Sequence, residues 1–121
     1  MTACIPRDTL GVMESRKRIL REYIDATGRN RFREWIQGFR DVRTQYVIDA
    51  RITRIANGNL GDCEPVGDGV MEFKVHHGPG YRIYFGQDGK NIVILLIGGD
   101  KKSQRKDIVL AKSLWQEYQK G

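Results

Sequence analysis

The chain has 121 residues, the usual size of one compact domain, which excludes separate catalytic and regulatory domains. Hydrophobic residues make up 40% of the chain and charged residues 30%, so the chain can bury a core and does not have the composition of a disordered segment. A formal net charge of +6 and a pI of about 9.5 favour an acidic partner, such as nucleic acid, an anionic membrane surface or an acidic protein.

Residues 1–14 are expected to form a flexible tail ahead of a single domain that covers residues 15–121. The tail lacks the apolar core of a signal peptide, and the chain has no run of about 18 apolar residues, which a membrane-spanning helix requires. Cys4 and Cys63 have no C-x-x-C spacing, which favours reduced thiols. The sequence therefore predicts a cytoplasmic protein that is not associated with a membrane.

A short strand and a short helix are predicted first. Weak alternation of apolar residues over residues 17–24 favours a strand, although the segment fits a helix nearly as well. From Arg29 onward, apolar side chains recur at helical spacing and predict an amphipathic helix that ends between Gly38 and Asp41. Its apolar residues are Phe32, Trp35, Ile36 and Phe39.

A second helix is predicted from about Asp41 to Asn57. Its buried stripe consists of Ile48, Ile52 and Ile55. A different arc of the same helix is basic and is formed by Arg43, Arg51 and Arg54. Such a ridge is either solvated or in contact with phosphate. The glycines of residues 58–62 then end the helix and turn the chain.

Three strands and a closing helix are predicted in the second half. The strands cover about residues 69–76, 81–86 and 91–97. Residues 77–80 form a hairpin loop, and the third strand, apolar at nearly every position, should be central and covered on both faces. Gly98 and Gly99 are expected to end this strand, and Ser103 to cap a helix that runs to about Tyr118.

The predicted fold class is α+β, with two N-terminal helices and a C-terminal helix packed on a small, mainly antiparallel sheet. The last helix should face the core with an apolar stripe. That stripe consists of Ile108, Ala111, Leu114, Trp115 and Tyr118.

Polar side chains collect on one face of the predicted hairpin, because side chains alternate across a strand. A loop symmetric about Pro79 would place His76 opposite Arg82 and Lys74 opposite Tyr84. The outer face of a half-buried hairpin is normally polar, which is the simpler explanation of this grouping. The complete set is Glu72, Lys74, His76, Arg82 and Tyr84.

A basic run follows the adjacent strand and is expected to converge on the same face. It places four cations within residues 101–106, namely Lys101, Lys102, Arg105 and Lys106. Clustered cations repel one another unless an anion lies among them, and phosphate is the obvious candidate.

Cleavage of RNA by its own 2′-hydroxyl needs a base, an acid, and cations that stabilise the charged phosphorane. Arg82 can bind two phosphate oxygens and stays charged, whereas Lys74 is an electrostatic clamp, or a base if nearby cations lower its pKa. His76 suits a general acid or base near neutral pH. Tyr84 can stack on a base or donate a hydrogen bond.

Other kinds of site fit the residues less well. His76 and His77 point to opposite faces of a strand and make a poor metal site, since no neighbouring acidic residues complete one. The GPGYR segment does not join a strand to a helix, as a phosphate-binding loop must. Neither a metal nor a cofactor is therefore expected.

Four segments together resemble the RelE/ParE superfamily of toxins, in particular its HigB-like addiction-module killer proteins. The segments are FREWIQGFRD, RITRIANGNLGD, GVMEFKVHHGPGYRIYF and ILLIGGDKKSQRKDIVLAK, and the resemblance covers about residues 15–118. It implies a type II toxin neutralised by a cognate antitoxin, usually a small helix-turn-helix protein. RelE-like members cut mRNA in the ribosomal A site without a metal, whereas ParE-like members poison DNA gyrase.

The resemblance also implies roles for individual residues. Arg82 matches the family's arginine after Gly-Tyr, Lys74 matches a basic residue on the preceding strand, and Lys101 or Lys102 matches the basic residue after the last strand. Glu72 departs from the pattern, because RelE has a second lysine there.

A further departure concerns the catalytic tyrosine of RelE. In this sequence, Ile108 or Val109 stands near the place of that tyrosine. Tyr84 or His76 would have to act in its place. The leading hypothesis is an endonuclease that cuts mRNA on the ribosome. The alternatives are a gyrase inhibitor without catalysis and a non-toxic regulator that binds nucleic acid or the antitoxin.

Overall fold

The computed structural model describes residues 17–59 and 61–121. Within these two stretches the chain forms three helices and five strands. The helices are α1 (Arg31–Gln37), α2 (Val42–Ala56) and α3 (Gln104–Lys120). The strands are β1 (Ile19–Glu22), β2 (Cys63–Gly67), β3 (Val70–Val75), β4 (Tyr81–Asp88) and β5 (Ile92–Asp100). The predicted tail of residues 1–14 lies outside the described residues.

The five strands form one sheet in the order β1-β5-β4-β3-β2. β1 runs parallel to β5, and the other neighbouring pairs are antiparallel. The predicted α+β fold with a mainly antiparallel sheet is therefore confirmed, as is the first strand. β2 was not predicted, because its short sequence contains Pro65 and lacks alternation; proline is tolerated there since β2 is an edge strand.

Helices α1 and α2 cover one face of the sheet. Phe32 and Ile36 from α1 and Ile48 and Ile55 from α2 are buried in this layer, with at most 2% of each residue exposed. The sheet contributes the apolar side chains of the hairpin and of β5, which are Met71, Phe73, Val75, Ile83, Phe85, Val93 and Leu95. Both predicted helical stripes are therefore confirmed.

Helix α3 covers the opposite face. Its residues Ala111, Leu114 and Trp115 pack against side chains of β3, β4 and β5, which confirms the predicted stripe. The sheet contributes Val70, Tyr84, Ile94, Leu96 and Ile97 to this second core. β5 is thus buried on both faces, as predicted. The polar face of the hairpin, however, is partly covered by α3 rather than being a plain outer surface.

Gly98 and Gly99 lie inside β5 and do not end it, contrary to the prediction. A Cβ atom on Gly98 would lie 2.0 Å from the indole ring of Trp35, and one on Gly99 would lie 1.8 Å from Asp107 Oδ2. Both distances are far inside van der Waals contact. The two glycines therefore let a helix on each side approach the strand closely.

The two longer helices differ in how their first turns are capped. Asp41 caps α2 by accepting a hydrogen bond from the Arg43 backbone N–H at 2.9 Å. Ser103 occupies the predicted cap position of α3, but its hydroxyl makes no cap bond and donates to Asp107 instead. None of the helices in the described stretches is both long enough and apolar enough to span a membrane.

Candidate functional site

The loop between β3 and β4 covers residues 76–80 and is centred on Gly78. The His77 N–H donates to the Val75 carbonyl at 3.1 Å, and the Gly80 N–H donates to the His77 carbonyl at 3.0 Å. Gly78 and Gly80 have φ angles of 57° and 89°, which glycine adopts without strain. The loop is therefore one residue longer than the four-residue loop that the sequence suggested.

This loop sets the pairing of the two strands. Lys74 lies opposite Arg82, and Glu72 lies opposite Tyr84. The predicted register, symmetric about Pro79, is therefore wrong and differs by two residues from the observed pairing. A shift of two residues keeps every side chain on its predicted face, because the pleat repeats every two residues.

Glu72 is the buried centre of this face, with only 1% of its side chain exposed. Its Oε2 atom accepts hydrogen bonds from the Tyr84 hydroxyl at 3.0 Å and from the Gln104 amide at 2.8 Å. Arg82 Nε lies 3.4 Å from the same oxygen. Oε1 has no hydrogen-bond partner among the described residues. A carboxylate removed from water needs a counter-charge, and Arg82 supplies it.

Arg82 and Lys74 place two cations side by side on this face. The Arg82 side chain is 14% exposed and lies against Glu72, whereas the Lys74 side chain is 34% exposed and its Nζ lies 3.7 Å from Glu64 Oε1 on β2. Like charges directly opposite one another on a sheet are unfavourable. The two carboxylates offset this repulsion, and the exposed part of each cation remains available to an anion.

Tyr84 lies beneath α3 and has no exposed surface. Burial and the neighbouring Glu72 carboxylate raise the pKa of its hydroxyl far above the usual range, so that it stays a neutral donor. Of the two roles predicted for Tyr84, stacking on an RNA base does not fit this burial, because neither face of its ring is accessible, whereas its hydroxyl does donate a hydrogen bond, to Glu72. Strand alternation located Tyr84 on the correct face but could not show that a distant helix covers it.

The two histidines of the loop face different surroundings. The His76 ring Nε2 contacts Asp62 Oδ2, and the two side chains are 68% and 60% exposed. His77 Nε2 instead lies 3.3 Å from the hydroxyl of Thr44 on α2. His76 is therefore the accessible histidine, and Asp62 is a partner for it that the sequence pattern did not indicate.

The pairing of β4 with β5 brings the basic run next to the hairpin. Arg82 pairs with Gly99, and the chain turns directly after Asp100. Lys101 and Lys102 are exposed in this turn and line an open cleft of about 520 Å³, together with Pro79 and Asp100. Arg105 and Lys106 follow in the first turn of α3 and are also exposed.

The basic ridge of α2 does not join this surface. Arg51 and Arg54 lie on a helix that packs against the opposite face of the sheet from α3. Contact of this ridge with phosphate stays a prediction, and it would occur on a surface separate from the hairpin cations. A helical wheel shows which residues of one helix lie together, but not which layer of the fold the helix occupies.

Asp107 is a further polar residue of this region, and the sequence pattern did not indicate it. Its Oδ2 accepts a hydrogen bond from the Ser103 hydroxyl at 2.5 Å and lies directly over Gly99. Burial raises the pKa of the Asp107 carboxyl above its ordinary value. The available signals were a serine and an aspartate four residues apart at a helix start, and a glycine on the polar face of β5.

The described residues contain no group of three or more His, Cys, Asp or Glu side chains arranged to hold a metal ion. Cys63 is not a free thiol, contrary to the reduced state that the sequence predicted, and Cys4 lies outside the described residues. The chemically useful groups are therefore the hairpin cations, the exposed His76, the basic turn and the carboxyl of Asp107.

Comparison with known proteins gives a family for this arrangement. Residues 34–116 match the model of a family described as phage-derived protein Gp49-like. An uncharacterized protein from Haemophilus influenzae is 44% identical over 86 residues, which cover 71% of this chain and 87% of that protein. No solved structure matches significantly. Gp49-like proteins are associated with toxin–antitoxin addiction modules. Because the matched segment covers more than half of the chain, the protein belongs to the Gp49-like family of phage-derived proteins.

Proposed function

We propose that the protein is the toxin of a type II toxin–antitoxin module and that it cuts mRNA on the ribosome. The observation that carries this proposal is the pair formed by Arg82 and Lys74 beside the basic turn of Lys101 and Lys102. These cations come from three neighbouring parts of the fold and concentrate positive charge at one end of the sheet. A phosphodiester is the ligand that such a surface fits best.

The reaction needs little beyond charge and proton transfer, because the 2′-hydroxyl of the RNA is itself the nucleophile. Arg82 binds the scissile phosphate and stabilises the phosphorane, and Lys74 adds a second positive charge. His76 is exposed and offers an imidazole, a side chain that commonly serves as a general acid or base. The basic residues of the turn and of the first turn of α3 hold the flanking phosphates; these are Lys101, Lys102, Arg105 and Lys106.

The partners in this proposal are mRNA bound to the ribosome and a cognate antitoxin of the helix-turn-helix type, encoded next to the toxin. No cofactor or metal takes part, and the protein acts in the cytoplasm. The toxin domain comprises residues 15–121.

The first prediction concerns Arg82. Expression of the wild-type protein without its antitoxin should arrest growth, and Arg82→Ala should relieve the arrest, because the phosphorane loses its principal cation. Lys90→Ala is the control: it removes an exposed cation from the turn between β4 and β5, at the opposite end of these strands from Arg82, and should leave toxicity unchanged. Sequencing of RNA 5′ ends in arrested cells should show cuts within translated codons.

Three outcomes separate the proposal from its alternatives. Cuts that depend on Arg82 and on translation support the nuclease. Intact mRNA together with broken DNA would instead identify a gyrase inhibitor. Normal growth at high expression of the wild-type protein would favour a non-toxic regulator.

A further inference from the structure

Asp107 lies over β5, next to the strand that carries Arg82. A Cβ atom on Gly99 would lie 1.8 Å from Asp107 Oδ2, so only glycine leaves room for the carboxylate at this position of β5. Gly99 pairs with Arg82 on the neighbouring strand. Helix α3 therefore places an acid on the same face as Arg82, one strand away from it.

One oxygen of Asp107 is occupied and the other is open. Ser103 donates its hydroxyl hydrogen bond to Oδ2 at 2.5 Å, which fixes the orientation of the carboxyl group. Oδ1 accepts no hydrogen bond from the described residues. It is also not fully buried, unlike the partnerless polar atoms in the interior. Oδ1 is therefore accessible, and the geometry leaves it free to exchange a proton with a ligand.

The surroundings of the Asp107 carboxyl raise its pKa, chiefly through burial. Burial between α3 and the sheet, together with the negative charge of Asp100, raises the pKa of Asp107, and this outweighs the opposing influence of Ser103 and Lys106. On the sheet side, Asp107 faces Gly99 and the neutral hydroxyl of Tyr84. A carboxyl group with a raised pKa is suited to donate a proton.

On the basis of the proposed nuclease function, we propose that Asp107 is the general acid that protonates the leaving 5′-oxygen. The 2′-oxygen attacks phosphorus and forms a 2′,3′-cyclic phosphate, and its proton passes to water or to the His76 imidazole. The bond from phosphorus to the 5′-oxygen breaks, and that oxygen takes the bonding electrons and the proton of Asp107. The resulting Asp107 carboxylate is reprotonated from solvent.

The test compares two RNA substrates in single-turnover cleavage on programmed ribosomes. One mRNA has an ordinary scissile linkage, and the other carries sulfur in place of the bridging 5′-oxygen, since a thiolate leaves without being protonated. Asp107→Asn retains an acceptor for Ser103 but has no proton to donate. It should slow cleavage of the ordinary mRNA by about 100-fold or more and cleave the sulfur-containing mRNA at the wild-type rate.

Asp49→Asn is the charge-matched control, because Asp49 is exposed on α2 in the opposite layer, and it should leave both rates unchanged. Circular dichroism and thermal unfolding verify the fold of each variant, and Asp107→Ser replaces the asparagine variant if the latter unfolds. Equal slowing of both substrates by a folded variant, or no slowing of either, overturns the assignment of Asp107. Failure of the wild-type protein to cleave either substrate refutes the nuclease function itself.

Discussion

Glu72 illustrates how one residue can serve both the fold and the site. Its carboxylate joins β3, β4 and α3 through contacts with Arg82, Tyr84 and Gln104, and Gln104 is 32 positions away in the chain. The carboxylate also holds Arg82 in place from the buried side, so that the arginine can meet a phosphate on the exposed side. Glu72 therefore acts as a positioning residue in the proposed site, although it has the wrong charge to bind phosphate.

A second prediction tests this arrangement through stability. Glu72→Ala leaves the Arg82 guanidinium and the Tyr84 hydroxyl without a partner under α3, and it should lower the free energy of unfolding by about 3–5 kcal/mol. The double variant Glu72→Leu with Arg82→Met removes both charges and should recover much of this loss while remaining non-toxic. Urea denaturation measures both effects. A loss below about 1 kcal/mol for Glu72→Ala would mean that the pair is not structurally important.

At the scale of the elements, apolar periodicity predicted the three helices and four of the five strands found in residues 17–59 and 61–121, because each of these elements has an apolar side that must be buried. The edge strand β2 was not predicted, because none of its side chains is fully buried. Strand alternation also grouped Lys74, Arg82 and Tyr84 on one face. It could not show that α3 covers Tyr84, nor that Asp107 lies over Gly99, because both contacts join segments that are distant in sequence.

The third prediction concerns the close packing of α1 on β5. Gly98→Ala would place a methyl group 2.0 Å from the Trp35 ring, and it should destabilise the protein by about 1–3 kcal/mol through overpacking. Gly38→Ala is the control, since Gly38 has a φ of −74° and its nearest contact would be an ordinary 3.4 Å. Thermal denaturation distinguishes the two variants. If Trp35→Leu does not relieve the effect of Gly98→Ala, the cause is not this contact.

At the scale of the whole molecule, the first described strand is tied to the last helix. The Tyr23 hydroxyl, just after β1, donates to Glu117 Oε1 on α3 at 2.8 Å, and the Ala26 N–H donates to the same oxygen at 3.2 Å. Near the far end of β4, the Tyr118 hydroxyl donates to Asp88 at 2.5 Å. These bonds hold the C-terminal half of α3 against the sheet, while its N-terminal end forms part of the candidate site.

A fourth prediction concerns the pH dependence of the stability that the contact between Tyr23 and α3 provides. Burial and the Glu117 carboxylate raise the pKa of Tyr23 from 10.0 to about 12. The unfolded chain therefore releases this proton first, and the stabilisation from Tyr23, fully present below pH 10, is lost as the pH rises towards 12. Buried Tyr84 acts with the same sign. Stability measured by urea denaturation should accordingly fall above pH 10.

The contribution of Tyr23 can be separated from the rest of this alkaline decline. Tyr23→Phe should be less stable than the wild-type protein at neutral pH, because it lacks the bond to Glu117, but its stability should fall less steeply between pH 10 and 12. Tyr46→Phe removes a tyrosine that is 73% exposed on α2 and should retain the wild-type slope. The two tyrosines differ in that only Tyr23 of the pair joins β1 to α3. If the stability of Tyr23→Phe also falls with pH as steeply as that of the wild-type protein, the alkaline decline is due to other groups.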